Sequence, residues 1–243
     1  MDFGIAGRVA LVTASSKGLG RGAALALAAE GAKVVICSRG RDALAETAAT
    51  IAKAGGEALA IPADVTEPTQ PEALVAAAVR HFGRLDIVVP NAGGPTPTTA
   101  LDVTTEAVHE AVEANFLTSV RLVQAAAPHM RANRWGRICC ITSFGVKQPI
   151  PGLALSNTAR TALWAWAKTA APELFTDGIT LNLLCPGLHA TDRVKQLGGA
   201  VGDGPIGDPD DFGRIVAFLC SEHAKFVTGT ALQVDGGAIV GLL

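Results

Sequence analysis

The stretch from Arg8 to Gly20 reads RVALVTASSKGLG, and a run rich in alanine and leucine follows it directly. Its first half, through Ala14, is nearly continuous in apolar residues, which predicts a strand covered on both faces, as in a parallel sheet. Its second half is a turn of small residues opening into a helix predicted over 19–30. A strand, a tight turn and a helix N-terminus form a physical site for pyrophosphate. The backbone approaches the phosphates closely, and free N–H groups and the helix dipole favour the negative charge. Thr13, Ser15, Ser16, Lys17, Gly18, Leu19 and Gly20 are therefore candidate dinucleotide contacts. A glycine-rich string alone is a weak sign; the flanking strand and helix make it specific.

Working outward, runs of the same kind recur. Residues 33–38 (KVVICS), 57–61 (EALAI), 86–89 (DIVV), 136–143 (GRICCITS), 178–185 (GITLNLLC) and 230–234 (TALQV) join 8–14 as seven predicted strands. Helical patterns lie between them near 41–54, 69–82, 104–132, 154–175 and 209–221. Leu155, Ala159, Leu163, Trp166 and Ala170 recur at helical spacing and give one of these an apolar face. Asp208-Pro209 supplies an N-cap and a first-turn proline for the last. The alternation predicts right-handed crossovers and one doubly wound α/β fold, a seven-stranded parallel sheet with helices on both faces. No linker, repeat or low-complexity tract interrupts residues 1–243, so a single domain is expected.

Hydrophobic residues form 49% of the chain against 17% charged, a balance that excludes disorder and supplies a core. Lys plus Arg number 20 and Asp plus Glu 22, so no basic excess exists to hold a phosphate backbone, and nucleic acid is not an expected partner. Glu30, Lys33, Arg160 and Lys168 interrupt the most apolar stretches, so no membrane span is expected. The start, Met1-Asp2-Phe3-Gly4, lacks the basic-then-apolar pattern of a secretory signal. Cys37, Cys139, Cys140, Cys185 and Cys220 show no metal-binding spacing and read as reduced core thiols of a cytoplasmic protein, with no metal expected. The chain contains no tyrosine.

The residues after the second strand speak to cofactor type. A site selective for NAD places a carboxylate about 20 residues past the glycines, on the ribose 2′-hydroxyl. Here the chain reads Cys37-Ser38-Arg39-Gly40, with no acid before Asp42. Arg39 can pair with a 2′-phosphate through two charge-assisted bonds, and Lys17 adds a second positive charge. NADP(H) is favoured over NAD(H).

Taken together, these landmarks resemble the short-chain dehydrogenase/reductase family, most closely its 3-oxoacyl-(acyl carrier protein) reductase-like branch, over essentially the whole chain. The resemblance rests on TASSKGLG at 13–20, Asp64-Val65, Asn91-Ala92-Gly93, Asn115 and Ser143, and on Pro186-Gly187, Thr191 and the closing Thr228-Gly229 through Asp235-Gly236-Gly237. It implies a Rossmann fold and an NADP(H)-dependent enzyme acting on a small carbonyl or alcohol. It also implies that Asp64 bonds the adenine, with Val65 beside it, that Asn91, Ala92 and Gly93 line the cofactor, and that Thr191 touches the nicotinamide carboxamide. Ser143 would hydrogen-bond the substrate oxygen, and Asn115 would anchor a buried water. Ala14 stands where the family has its first glycine, a modest departure provided its φ stays negative. Pro90 replaces the usual first asparagine of the turn before Asn91.

One departure is large. The family's proton-donating tyrosine lies about 13 residues after the serine, with a lysine four further on; from Ser143 that spacing lands on Ser156 and Arg160. A phenol of pKa about 10, lowered by a nearby cation, suits protonation of an alkoxide. The Ser156 hydroxyl is a far weaker acid, and Arg160 supplies charge and grips ribose hydroxyls without shuttling protons. Candidates for the missing donor are His189, in the loop after the sixth strand, Lys147, four residues past Ser143, and a water held by Asn115, Ser143 and Ser156.

Three functions remain open on the sequence: the redox enzyme with a proton path that avoids tyrosine, a lyase, hydrolase or isomerase with a structural nucleotide, and a nucleotide-responsive binding protein. Residues 192–206 (DRVKQLGGAVGDGPI) occupy the place of the family's substrate lid and read as a short glycine-rich loop with little grip on a long acyl chain. The resemblance implies a homotetramer, or else a dimer, with helices 104–132 and 154–175 paired across subunits. The apolar end, Ala238 to Leu243, suits a second interface.

Overall fold

All four side chains of β1 (Val9–Val12) are buried, and they divide by parity: Val9 and Leu11 enter the apolar cluster on one face of the sheet, Ala10 and Val12 that on the other. This two-sided burial is why the strand shows no polar alternation. The structure is a computed structural model that describes residues 2–198 and 204–242. After β1 come α1 (Gly18–Ala29), β2 (Lys33–Ser38), α2 (Arg41–Lys53), β3 (Ala58–Pro62), α3 (Gln70–Phe82) and β4 (Ile87–Val89). The second half holds α4 (Thr105–Val112), α5 (Thr118–Asn133), β5 (Gly136–Ile141), α6 (Ala154–Phe175), β6 (Ile179–Pro186), α7 (Asp192–Leu197), α8 (Pro209–Leu219) and β7 (Ala231–Val234).

Seven strands pair in the order β3-β2-β1-β4-β5-β6-β7, every pair parallel. Side chains of α3, α5 and α6 cover one face, and those of α1, α2 and α8 the other. Helices α1 and α8 touch through backbone: a Cβ on Gly22 would lie 2.2 Å from the Pro209 carbonyl oxygen. Because the chain leaves β1 outward to β2 and β3 and then returns to β4 beside β1, a crevice opens at their carboxyl ends. Ligands of doubly wound sheets bind at such a switch point.

The structure departs from the sequence reading at four places. The helix expected over 104–132 is divided by a π-helical turn, Glu113–Leu117, which carries Asn115. There the Thr118 hydroxyl donates to the Glu113 carbonyl, and the Asn115 amide donates to Ala111. Strand β5 stops at Ile141, so Ser143 lies beyond it and caps a short 3-10 turn, its Oγ accepting from the Gly145 amide. The stretch expected as a loop over 192–206 begins with α7; residues 199–203 of it lie outside the described residues. Finally, Ala14 has φ +47°, not the negative value expected.

The left-handed conformation costs an L-residue roughly 1–2 kcal/mol, part of which glycine would return to the unfolded chain as entropy. Ala14→Gly is accordingly expected to stabilise the protein by about 1 kcal/mol or less, a rise of about 1–3 °C in Tm on a calorimetric scan. An unchanged or lower Tm would show that the turn is relaxed with alanine.

All five cysteines are free and buried, and burial pushes the Cys37 and Cys140 thiols up to about 12. Among the described residues no helix is long and apolar enough to cross a membrane. Val240 and Leu242, in the apolar end, stand exposed on the single chain.

Candidate active site

A cavity of about 450 Å³ opens where β1, β4, β5 and β6 end. Its floor at one end is the start of α1. Lys17 caps this helix with extended backbone and no side-chain bond. The first helical return bond is Arg21 N–H to the Lys17 carbonyl, and among the described residues the amides of Gly18, Leu19 and Gly20 find no backbone acceptor. Free amides at a helix start suit an anion. A Cβ on Gly20 would lie 2.5 Å from the Ala14 carbonyl oxygen and 2.6 Å from Asn91 Nδ2, so only glycine lets the turn close on β4.

The residues expected at the cofactor sort into lining and support. Lys17, Gly18, Leu19, Arg39, Asn91, Ala92, Gly93, Arg160, Pro186, Gly187 and Thr191 line the cavity. Thr13 and Ser15, expected among the contacts, face inward and are fully buried. Thr13 Oγ1 accepts from the Asn91 amide and donates to the Asn91 carbonyl, both at 2.7 Å, pinning β1 to the turn after β4. Ser15 Oγ donates to Val12 O at 2.9 Å and accepts from Cys37 N at 3.0 Å, pinning β1 to β2. Ser16 and Val65 are likewise tied down through their carbonyls, to the Thr47 and Thr118 hydroxyls. Ser38 Oγ donates to the Gly40 carbonyl. At the far end Asp64 accepts from the amide and hydroxyl of Thr66 and pairs with Arg39 at 3.8 Å. Burial would raise its pKa, but the Thr66 bonds and the Arg39 charge outweigh it and hold the carboxyl below its ordinary range.

At the other end stand Ser143, Ser156 and Arg160. Ser156 sits in the first turn of α6, and Arg160 follows one turn later on the same face. Arg160 is buried yet has no carboxylate partner among the described residues. It donates to the Ile141 carbonyl at 3.2 Å and, more weakly, to Ala92 O at 3.5 Å. Burial, reinforced by the charge of Arg193, pulls its pKa down to about 10, so the guanidinium remains charged at neutral pH.

The side-chain alternatives for the missing donor fare differently. Lys147 does not line the cavity; its ammonium lies over the Trp164 ring, 5.4 Å from the centroid, a more favourable place for a cation than an apolar wall. His189 reaches the lining with one ring nitrogen engaged. Nδ1 is 3.1 Å from the Gly187 carbonyl, and the ring packs edge-on against Phe212 and beside Gly207. Asn115 is buried behind the wall, and its Oδ1 lacks a partner among the described residues, the situation of an acceptor that a water would satisfy.

The sequence reading missed Arg193. It projects from the first turn of α7 across the cavity, donates to the Pro95 carbonyl at 2.6 Å and lies over Gly94. A cation two residues beyond Thr191 was the available signal.

This is the architecture of the doubly wound dinucleotide-binding enzymes. A family profile described as enoyl-(acyl carrier protein) reductase matches residues 13–238. The chain is 32% identical to a 3-oxoacyl-(acyl-carrier-protein) reductase of Synechocystis, over 96% of this chain and 97% of that one. It superposes on L-sorbose reductase of Gluconobacter frateurii, solved with NADPH and L-sorbose, with TM-score 0.93, 32% identity and complete coverage of both chains. It superposes on a 7α-hydroxysteroid dehydrogenase, solved with NADH and 7-oxo glycochenodeoxycholic acid, with TM-score 0.91 and 28% identity, covering 100% of this chain and 98% of that one. The chain belongs to the short-chain dehydrogenase/reductase family and is an oxidoreductase enzyme.

Proposed function

We propose that the protein is an NADP(H)-dependent oxidoreductase of a small carbonyl or alcohol, with proton delivery by an ordered water in place of the phenol. The observation that carries this is that one cavity joins α1 amides without backbone acceptors among the described residues, at one end, to two serine hydroxyls and a buried guanidinium at the other. The residues fit a dinucleotide. The α1 amides suit its pyrophosphate, Asn91 to Gly93 and Thr191 its nicotinamide half, and the Gly20 contact leaves the turn no side chain to obstruct either. Arg39, 81% exposed and joined among the described residues only to Asp64 at 3.8 Å, has donors to spare for a 2′-phosphate. That favours NADP(H), although the relatives include proteins solved with each cofactor.

When bound in reduced form, the dinucleotide supplies the hydride. Ser143 and Ser156 donate to the substrate carbonyl oxygen and polarise it. As that oxygen takes up negative charge, the buried Arg160 guanidinium stabilises it electrostatically, an effect worth about 10²–10³-fold where preorganised donors face a developing oxyanion. The proton comes from water held between the serine hydroxyls, and the hydroxide it leaves regains a proton from solvent; the orphaned Asn115 Oδ1 marks an acceptor for a second water behind it.

The test is NADPH consumption by the purified protein against a panel of ketones and oxoesters. Slow but saturable oxidation is expected, faster with NADPH than with NADH. Tight NADPH binding without oxidation of any member would overturn the reading. So would product formed with no change in nicotinamide absorbance, which would assign the cavity to non-redox chemistry.

A further inference from the structure

We propose that the substrate carries a carboxylate close to its carbonyl carbon, as a short oxo acid does, and that Arg193 recognises it. The inference rests on the redox reading above and names its substrate class. It begins with a charge imbalance. The cavity lining carries four cations, Lys17, Arg39, Arg160 and Arg193, and one carboxylate, Asp192. Asp192 is already engaged by Lys17 at 3.5 Å and by Lys195 at 3.9 Å. At the far end Arg39 and Lys17 face the place proposed for the phosphates. Two guanidiniums therefore remain at the reactive end. Among the described residues neither forms an ion pair.

Geometry gives these two different roles. Arg160 is held in the wall behind Ser156 by carbonyls, with little freedom to reorient. Arg193 is partly exposed and spends one N–H on Pro95 O. Its guanidinium lies over Gly94, where a Cβ would come within 2.9 Å of Nη2, so the absence of a side chain there is what admits it. Gly94-Pro95 follows directly on the Asn91–Gly93 turn, so the Arg193 guanidinium meets the cavity wall beside that turn. Its charge is close enough to depress the Arg160 pKa. Two cations repelling each other in a partly desolvated cavity are both stabilised by an anion placed between them. A planar carboxylate matches the guanidinium fork in two parallel hydrogen bonds, and the adjacent carbonyl then falls toward Ser143 and Ser156.

Ile150, Leu153 and Leu188 give one side of the cavity an apolar lining beside these charges. Hydride joins the carbonyl carbon, a proton from water joins its oxygen, the hydroxide left behind regains a proton from solvent so that one H+ is consumed overall, and the carboxylate passes through unchanged.

The experiment compares short 2-oxo and 3-oxo acids with their methyl esters, in the unaltered protein and in Arg193→Met and Arg193→Lys. Calorimetry with malonate and with NADPH accompanies it. The unaltered protein is expected to favour acid over ester by about 10- to 100-fold in kcat/KM, the range of charge-assisted hydrogen bonds. Arg193→Met should erase that preference and the malonate heat, and Arg193→Lys should recover part of both, while the NADPH Kd stays within about twofold. Acids and esters reduced equally well would overturn the inference and leave the redox reading standing. An Arg193→Met protein that loses NADPH affinity yet keeps the acid preference would also overturn it, assigning the guanidinium to the cofactor's pyrophosphate. Malonate bound through Arg193 with no carbonyl compound reduced would support the anion site and refute the redox reading.

Discussion

Ser156→Tyr combined with Arg160→Lys is expected to raise NADPH-dependent ketone reduction by about 10²- to 10⁴-fold, the usual worth of a positioned general acid. Both positions lie on the cavity side of α6, one turn apart. A phenol at 156 would extend from the wall into the open volume beside Ser143. An ammonium at 160 would replace a guanidinium whose carbonyl partners, Ile141 O and Ala92 O, are already placed to accept. The ammonium would lower the phenol pKa toward the operating range, which an aliphatic hydroxyl cannot approach. The single change Ser156→Tyr should give part of the gain. No gain from either variant, with NADPH binding intact, would show that the cavity does not present a carbonyl to position 156.

The second large effect divides stability from activity. The Arg160 pKa is lower in the folded chain than in the unfolded one, so at pH 7 the folded state carries this charge at a penalty. A depression to about 10 corresponds to a cost on the order of 3 kcal/mol. The penalty is full below about pH 10 and is relieved as pH rises from there toward the unfolded value, because the unfolded chain then binds more protons than the folded one. Arg160→Met removes the charge and fills the space, but it also removes the two bonds to carbonyls, which returns about 1–2 kcal/mol. A net rise in Tm of about 2–6 °C is expected in the absence of ligand. On the function proposed above, turnover should fall about 10²-fold or more, since the group proposed to stabilise the developing alkoxide is gone. A lower Tm with unchanged turnover would contradict both halves. The trade is of the kind that functional sites make: a buried charge is retained at a cost in stability.

The fold could be read from strand composition because its cause is local. Runs such as VALV, KVVICS and ITLNLLC are buried on both faces, and only a covered parallel sheet makes that environment. The ends of those strands placed Asn91, Ser143, Pro186 and Thr191 around one crevice. What escaped the sequence depends on single-residue geometry or on distant neighbours. The π-helical turn at Glu113–Leu117 adds one residue to a helix whose apolar pattern runs on across it. The positive φ of Ala14 answers to closure against Asn91 and β2, not to any preference of alanine. Arg193 lay in a segment read for its glycines and few apolar residues; its role depends on Gly94 and Pro95, about a hundred residues earlier, leaving room for a guanidinium. Thr13 and Ser15 show the converse. Their motif positions were plain, but inward rotamers make them ties between strands.

The function proposed above has hydride pass to a carbonyl carbon in a cavity without a phenol. The fate of deuterium at the nicotinamide C4 of NADPH tests it, with the two C4-deuterated stereoisomers used separately in reduction of a short oxo acid and of simple ketones. One stereoisomer is expected to give an alcohol labelled at its carbinol carbon and the other an unlabelled alcohol. An alcohol labelled by neither stereoisomer, or cofactor recovered unoxidised after prolonged incubation with every carbonyl compound tried, would show that no hydride is transferred here.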